Sequence, residues 1–376
     1  MSRIYLDYNA STPLDPCAAQ AIHAALEECY GNPSSSHWAG LPARELLEQS
    51  RAQVAALLGC SSDEIVFTSG GSEANNLALK GTFFQLQRGN RPAHIITSAI
   101  EHPSLLEPCI FLERLGARIT CLPVDGAGRV DPGDLQRAIT GDTTLISLMH
   151  ANNEVGTIQP IEECARVARE HGVPFHTDAA QSVGKIPARV DELGVDLLSI
   201  AGHKMYAPKG VGALYVRAGV KLESLIHGAG HESGRRAGTE SAMLAAGLGA
   251  ASALAQDLEW TNRVRELRDR FWTSLHERFG DRVLLNGHPE HRLPNTLSVS
   301  FVGRNGADLL AAINGVAAST GSACHSGRVE TSPVLRAMGV PAHIAAGAVR
   351  FSLGRGTTLE EIDEAIGRIS TVLSRK

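Results

Sequence analysis

Short apolar runs alternate with amphipathic stretches through most of this chain, and the alternation predicts its architecture. Ile4-Tyr5-Leu6 reads as a short strand entering the turn Asp7 to Pro13. Helices are expected over Pro16 to Tyr30 and Pro42 to Leu58, divided by the Gly/Pro/Ser loop Gly31 to Ser36. Strands then follow at Glu64 to Phe67, His94 to Thr97, Arg118 to Leu122, Leu145 to Met149, Val173 to Thr177, Val195 to Ile200 and Gly212 to Arg217. Most are separated by helical patterns: Glu73 to Gln87, Ser104 to Leu115, Pro132 to Ile139 and Ile161 to His171. Strands alternating with helices of this length imply an α/β fold with a mostly parallel, doubly wound sheet.

The pattern changes after this region. Leu244, Leu248, Leu254, Leu258, Val264, Leu267, Phe271, Leu275 and Phe279 recur at helical spacing and predict one long helix from near Ser241, long enough to bridge two domains. Strands at Val283 to Leu285, Thr296 to Phe301 and Val349 to Leu353 mix with helices over Ala307 to Ile313, Pro333 to Met338 and Leu359 to Leu373. We expect a large domain over 16–257 and a smaller α+β domain built from 1–15 plus 258–376.

Composition narrows the function classes. The 376 residues carry a formal net charge of −5, with bases and acids interleaved as in Arg263 to Arg270, so no nucleic-acid footprint is present. The most apolar tract, Ala242 to Ala255, is short and broken by glycines, which argues against a membrane span. Met1 to Pro16 shows no secretory pattern, and the seven cysteines are odd in number without close pairs; both point to free thiols in a reducing cytoplasm. No local spacing suggests a metal site.

Candidate chemistry centres on Lys204, delivered on a glycine turn by the strand that ends at Ile200. Asp178 follows the preceding strand, and open α/β sheets bind ligands at the carboxyl ends of their strands. A lysine for a Schiff base and an acid facing a pyridinium nitrogen are what pyridoxal phosphate requires. The turn Thr68-Ser69-Gly70-Gly71-Ser72-Glu73 enters a helix and suits one phosphate group; an ordinary capped helix, with Ser72 as the cap, is the alternative. The G-x-G-x-x-G fingerprint of dinucleotide sites is absent. Cys324 sits among small residues that leave a thiolate accessible, unlike the six cysteines assigned to packing or chance. Arg350 is a charge inside an apolar strand, either half of a structural ion pair or a clamp for a substrate carboxylate. His102 ends a strand at the same sheet edge as the phosphate loop, where it could stack on a flat cofactor and shuttle protons.

These pieces fall within a longer series: YLDYNASTPLDP, FTSGGSEANN, EHP, MHANNEVG, HTDAAQ, AGHKMYAPKGVGALYV, GRRAGTE, GSACHS and RFSLGR. In that order and spacing the chain resembles the cysteine desulfurases of the class V aminotransferase group, pyridoxal-phosphate enzymes of the aspartate-aminotransferase-like fold (fold type I). The resemblance implies that Lys204 holds the cofactor, Asp178 faces its ring nitrogen, Gln181 lies near its ring hydroxyl and His102 stacks on the ring. It further implies that Ser72 and His203, with the Gly71 turn, hold the phosphate. Thr239 matches a contact that family members supply from the second subunit, so a homodimer with shared sites is expected. Asn153 and Arg350 match substrate-holding residues, and Cys324 matches the nucleophile that becomes a persulfide.

The implied reaction turns L-cysteine into L-alanine and leaves sulfur on Cys324 for an acceptor protein, a scaffold or carrier, in iron–sulfur cluster assembly or thiolation. Two features differ or cut across the pattern. Many members carry Ser where this chain has Ala201, and Cys324-His325-Ser326 with Ser332-Pro333-Val334-Leu335 also resembles selenocysteine lyases. An ordinary aminotransferase and an inactive sulfur-transfer scaffold are the remaining alternatives.

Overall fold

The computed structural model describes residues 3–87, 89, 93–320 and 331–374. The chain opens with β1 (Ile4–Tyr5), α1 (Pro16–Glu28) and α2 (Leu41–Leu58). Then come β2 (Ile65–Thr68), α3 (Gly71–Gln87), β3 (His94–Ser98), α4 (Pro103–Arg114), β4 (Arg118–Leu122), α5 (Pro132–Ala138), β5 (Thr143–Ser147) and α6 (Ile161–Glu170). The next segment holds β6 (Phe175–Asp178), α7 (Val190–Leu193), β7 (Leu197–Ala201), β8 (Gly212–Val216), α8 (Ala242–Leu254) and α9 (Trp260–Phe279). The chain finishes with β9 (Val283–Asn286), β10 (Thr296–Phe301), α10 (Gly306–Ala312), β11 (Val316–Ala317), α11 (Pro333–Ala337), α12 (Ala342–Ala345), β12 (Ala348–Ser352) and α13 (Leu359–Ser374).

Seven strands form one sheet in the order β2-β8-β7-β6-β5-β3-β4, parallel except for β8, which runs antiparallel to both neighbours. Alternate side chains supply its two faces. Phe67, Ile96, Ile146, Leu198 and Tyr215 enter one core with α2, α6 and α8, while Val66, Ile95, Leu145, Leu197 and Leu214 enter another with α3 and α4. Covering both faces explains why the strands read as continuous apolar runs. This is the mixed, mostly parallel α/β sheet of fold type I, as expected.

A second sheet, β12-β10-β9, is antiparallel and rests on its own core of Val264, Phe271, Val299, Phe351 and Ile366. Ile4 and Leu6 belong to this core, and β1 pairs in parallel with β11. The two-residue strand β11 was not anticipated, being too short to show periodicity. From β1 the chain crosses into the large sheet's territory through Asp7 to Thr12, and that crossing places the first turn beside Lys204.

The single long helix expected from Ser241 to Phe279 is two helices, α8 and α9. The Asp257 backbone N–H returns to the Leu254 carbonyl, and the Asp257 carboxylate accepts the Glu259 N–H, which turns the chain. The apolar periodicity runs through the break because each helix buries a face, in different cores. Strand β5 begins two residues earlier than expected, and β6 extends to include Asp178.

Candidate active site

Parallel strands direct their carboxyl ends to one edge, and there the site forms. Asp178 is the last residue of β6, registered against Ser199 of β7. Beyond β7 a 3-10 turn, Gly202–Lys204, presents the lysine. Helix α3 begins at Gly71, immediately after the turn from β2, with Ala201 packed against it: a Cβ added to Gly71 would stand 3.2 Å from the Ala201 Cβ. Glycine therefore permits the close approach of helix and strand end.

Asp178 is buried and held on both oxygens. Its Oδ1 accepts the Ala180 N–H at 2.9 Å and its Oδ2 accepts from Asn75 Nδ2 at 2.7 Å. Asn75 gives its other amide proton to Ser104 Oγ at 2.9 Å, and Ser104 lies 2.8 Å from His102 Nδ1. His102 caps α4, with Nδ1 accepting the Ser104 backbone N–H as well. The chain of donors therefore fixes Nδ1 as an acceptor and leaves Nε2 to carry the ring proton. Burial lowers the His102 pKa; nearby Asp178 opposes that, and Lys204 adds to it.

Lys204 Nζ donates to the Asn9 and Ala10 carbonyls at 2.6 and 2.8 Å. Burial and the Arg350 charge bring its pKa down to about 8, with Asp7 and Asp178 pulling the other way. Gln181 Nε2 donates to the same Asn9 carbonyl at 3.0 Å. Asn9 Nδ2 reaches Thr296 Oγ1 at 2.8 Å and the Asn153 carbonyl at 3.3 Å, and that carbonyl also accepts Arg350 Nη1 at 2.8 Å. Arg350 further pairs with Asp7. The ion-pair reading of Arg350 is thus present in the structure, and its buried Nε has no hydrogen-bond partner among the described residues.

Other expected residues take distinct places. Ser72 does not cap α3: it is the second helical residue, exposed, while Glu73 Oε2 accepts the Ser69 N–H from within the first turn. That correction follows from the helix starting one residue earlier than the serine, at Gly71. Ser72 stays at the helix N-terminus, where unpaired N–H groups favour an anion. His203 Nδ1 lies 3.3 Å from Ser11 Oγ, and burial together with Lys204 and Lys209 lowers its pKa to about 4. Thr239 is exposed, on a segment whose Arg236 pairs with Glu73 at 2.9 Å. Cys324 lies outside the described residues. Among the described residues no His/Cys/Asp/Glu cluster could hold a metal ion, and no helix is long and apolar enough to cross a membrane.

Sequence reasoning passed over Asp7, Asn9, Asn75, Ser104 and Lys185. The first two were visible inside the quoted N-terminal motif, and Lys185 was visible as a charge in an apolar stretch, the signal that singled out Arg350. Asn75 and Ser104 gave no local sign.

Pyridoxal phosphate suits this donor set. An acid ends a strand at the sheet edge, a half-buried amine of lowered pKa sits on the turn after the neighbouring strand, and an open helix N-terminus lies alongside. The buried Asn75 Oδ1 has no partner among the described residues, which is consistent with a site that gains one from a bound group.

Comparison with known proteins identifies the family. The family model for aminotransferase class V matches residues 4–365. A cysteine desulfurase IscS of Dictyoglomus turgidum is 49% identical over 377 aligned residues, covering 99% of this chain and 95% of the relative. Another, from Methanosarcina thermophila, is 44% identical over 99% of this chain and 92% of its own length. Among solved structures, a NifS-like protein superposes with a TM-score of 0.93 at 38% identity, over 99% of both chains. The structure of SspA in complex with cysteine matches with a TM-score of 0.82 at 36% identity, over 94% of this chain and all of its own. With nearly its whole length matched, the chain belongs to the class V aminotransferase family, in the branch whose named members are cysteine desulfurases.

Proposed function

We propose that this protein is a pyridoxal-phosphate-dependent cysteine desulfurase that converts L-cysteine to L-alanine and carries the sulfur away as a persulfide on Cys324. The observation that carries the reading is the convergence of Lys204, Asp178 and His102 at the strand ends, with Asp178 joined to His102 through Asn75 and Ser104 and with Lys204 held by the Asn9 carbonyl. When bound, pyridoxal phosphate supplies the electron sink that C–S cleavage of an amino acid needs and no side chain offers.

The chain's own residues divide the remaining work. Asp178 would face the ring nitrogen, His102 would cover the ring and Gln181 would meet the ring oxygen. Gly71, Ser72, His203 and Thr239 would hold the phosphate, Thr239 reaching it from the second subunit of a homodimer. Lys204 anchors the cofactor and, once free, moves a proton at the substrate's α-carbon; an amine titrating near 8 is suited to that task near neutral pH. Asn153 and Arg350 hold the substrate, Arg350 by its carboxylate. The Cys324 thiolate attacks the substrate sulfur, so an S–S bond forms as the Cβ–S bond breaks; the carbon fragment keeps the electron pair and, once protonated, becomes alanine. A sulfur-acceptor protein then takes the persulfide sulfur, for iron–sulfur assembly or thiolation. The cores on the two faces of the large sheet and the separate core of the second sheet support a division into a cofactor-binding unit, 16–257, and a smaller one, 1–15 plus 258–376.

The test is product analysis of the purified protein with L-cysteine and with L-selenocysteine under reductant. Alanine and sulfide from cysteine are expected. Turnover of selenocysteine alone would make it a selenocysteine lyase, and the absence of alanine from either would return the reading to an aminotransferase or an inactive scaffold.

A further inference from the structure

Lys185 has no role in the reaction above, yet it is only 4% exposed and lies against the site. No carboxylate pairs with it among the described residues; the charged groups that face it, Lys204 and Arg350, are both cationic. A buried amine among like charges is costly, so its contacts require a reason. Its Nζ donates to Gln181 Oε1 at 2.9 Å and to Asn9 Oδ1 at 3.4 Å.

Those contacts define the polarity of the Gln181 carboxamide. With Oε1 turned to Lys185, Nε2 faces the Asn9 carbonyl, the same oxygen that accepts from Lys204 Nζ. The amide nitrogen is therefore on the Lys204 side. It carries two hydrogens, and the hydrogen bonds among described residues use one of them. The oxygen end is occupied, so any further bond from Gln181 toward the site is a donation.

We propose that Lys185 is a positioning residue that locks the Gln181 carboxamide as a donor toward the cofactor's ring oxygen. This rests on the pyridoxal-phosphate reading and on Gln181 meeting that oxygen. A donor there favours the oxygen's anionic form and draws electron density from the nitrogen conjugated with it. Loss of the donor raises the pH at which the bound cofactor's visible band changes.

The experiment follows that band against pH in the holoprotein for Lys185→Met, Gln181→Met and the double variant, with a thermal melt of each. Lys185→Met should shift the midpoint upward by about one pH unit, the size of a single hydrogen bond to a charged group. In the Gln181→Met background the same change should add little, because Lys185 acts through Gln181. Additive shifts would mean that Lys185 acts by charge alone, and an unmoved midpoint in Lys185→Met would also overturn the proposal. A colourless wild-type protein after reconstitution would instead overturn the cofactor reading. If Lys185→Met does not fold, neutron diffraction of the wild-type holoprotein decides: deuterium on the Gln181 nitrogen beside the Asn9 carbonyl is expected, and an amide nitrogen facing Lys185 would contradict it.

Discussion

Arg350 Nη2 lies 2.7 Å from Asp7 Oδ1, joining the first turn of the chain to the last strand of its second sheet. The pair is mostly shielded from water, so each charge depends on the other. Asp7 also accepts from Ser319 Oγ at 3.1 Å, which ties the same corner to the residues after β11. A substrate carboxylate reaching Arg350 would share a guanidinium that is already oriented.

Two variants separate the structural part of that pair from substrate binding. Asp7→Asn leaves the guanidinium short of a counter-charge and should lower stability by about 3 kcal/mol, with the Michaelis constant for cysteine unchanged or reduced. Arg350→Ala should raise that constant roughly tenfold or more. Steady-state kinetics beside chemical denaturation check both, and an unaltered Michaelis constant in Arg350→Ala would remove the clamp.

Cofactor loading should report the Lys204 amine. Only the neutral amine attacks an aldehyde, and its pKa is about 8 rather than the ordinary 10.5. The rate at which the apoprotein takes up pyridoxal phosphate should therefore rise with pH to a midpoint near 8 and level off above it. Stopped-flow absorbance would show this; a rate still climbing steeply past pH 9 would contradict the lowered pKa. Lys204→Ala should abolish the visible band formed with the protein.

Ala201 abuts Gly71 at the start of α3, so Ala201→Ser adds a hydroxyl beside the phosphate loop. The variant should retain pyridoxal phosphate more tightly, by about 1 kcal/mol for one further hydrogen bond. Dialysis against phosphate buffer, followed by absorbance, measures the difference; equal or faster loss from the variant would place the phosphate elsewhere.

Glu101 gives a pH test of stability. It is fully buried, accepts the Met149 N–H at 3.0 Å and is bonded by Ser98, and burial pushes its pKa up from 4.5 to about 8. Between those values the folded protein holds a proton that the unfolded chain has released, so stability present below pH 4.5 is lost as pH rises through about 8. Glu101→Gln should flatten that decline, read as the difference between wild-type and variant melting temperatures from pH 5 to 9. A pH-independent difference would mean that Glu101 is ionised throughout.

The strands, and with them Lys204 and Asp178, were legible because local patterning determines them: an apolar run buried on both faces ends where a polar or glycine-rich turn begins. Arg350 was legible as a charge out of place. Asn9 was not, since its significance arises only when the first turn meets Gln181, Lys185 and Lys204 from across the chain. Asn75 and Ser104 were silent for the same reason, each an ordinary polar residue near a helix start until folding sets it between Asp178 and His102. The break between α8 and α9 was hidden because periodicity records a buried face and not the direction of the helix that bears it.

The central claim, that Cys324 takes sulfur from free cysteine, is tested most directly by mixing the purified holoprotein with L-cysteine in the absence of reductant. Alanine is quantified, and the peptide that carries Cys324 is examined by mass spectrometry before and after reduction. The account predicts one added sulfur on Cys324, removed by reductant, with alanine formed in matching amount, and neither in Cys324→Ala. Alanine and sulfide released undiminished by Cys324→Ala, or an unmodified Cys324 in a protein turning over cysteine, would contradict it.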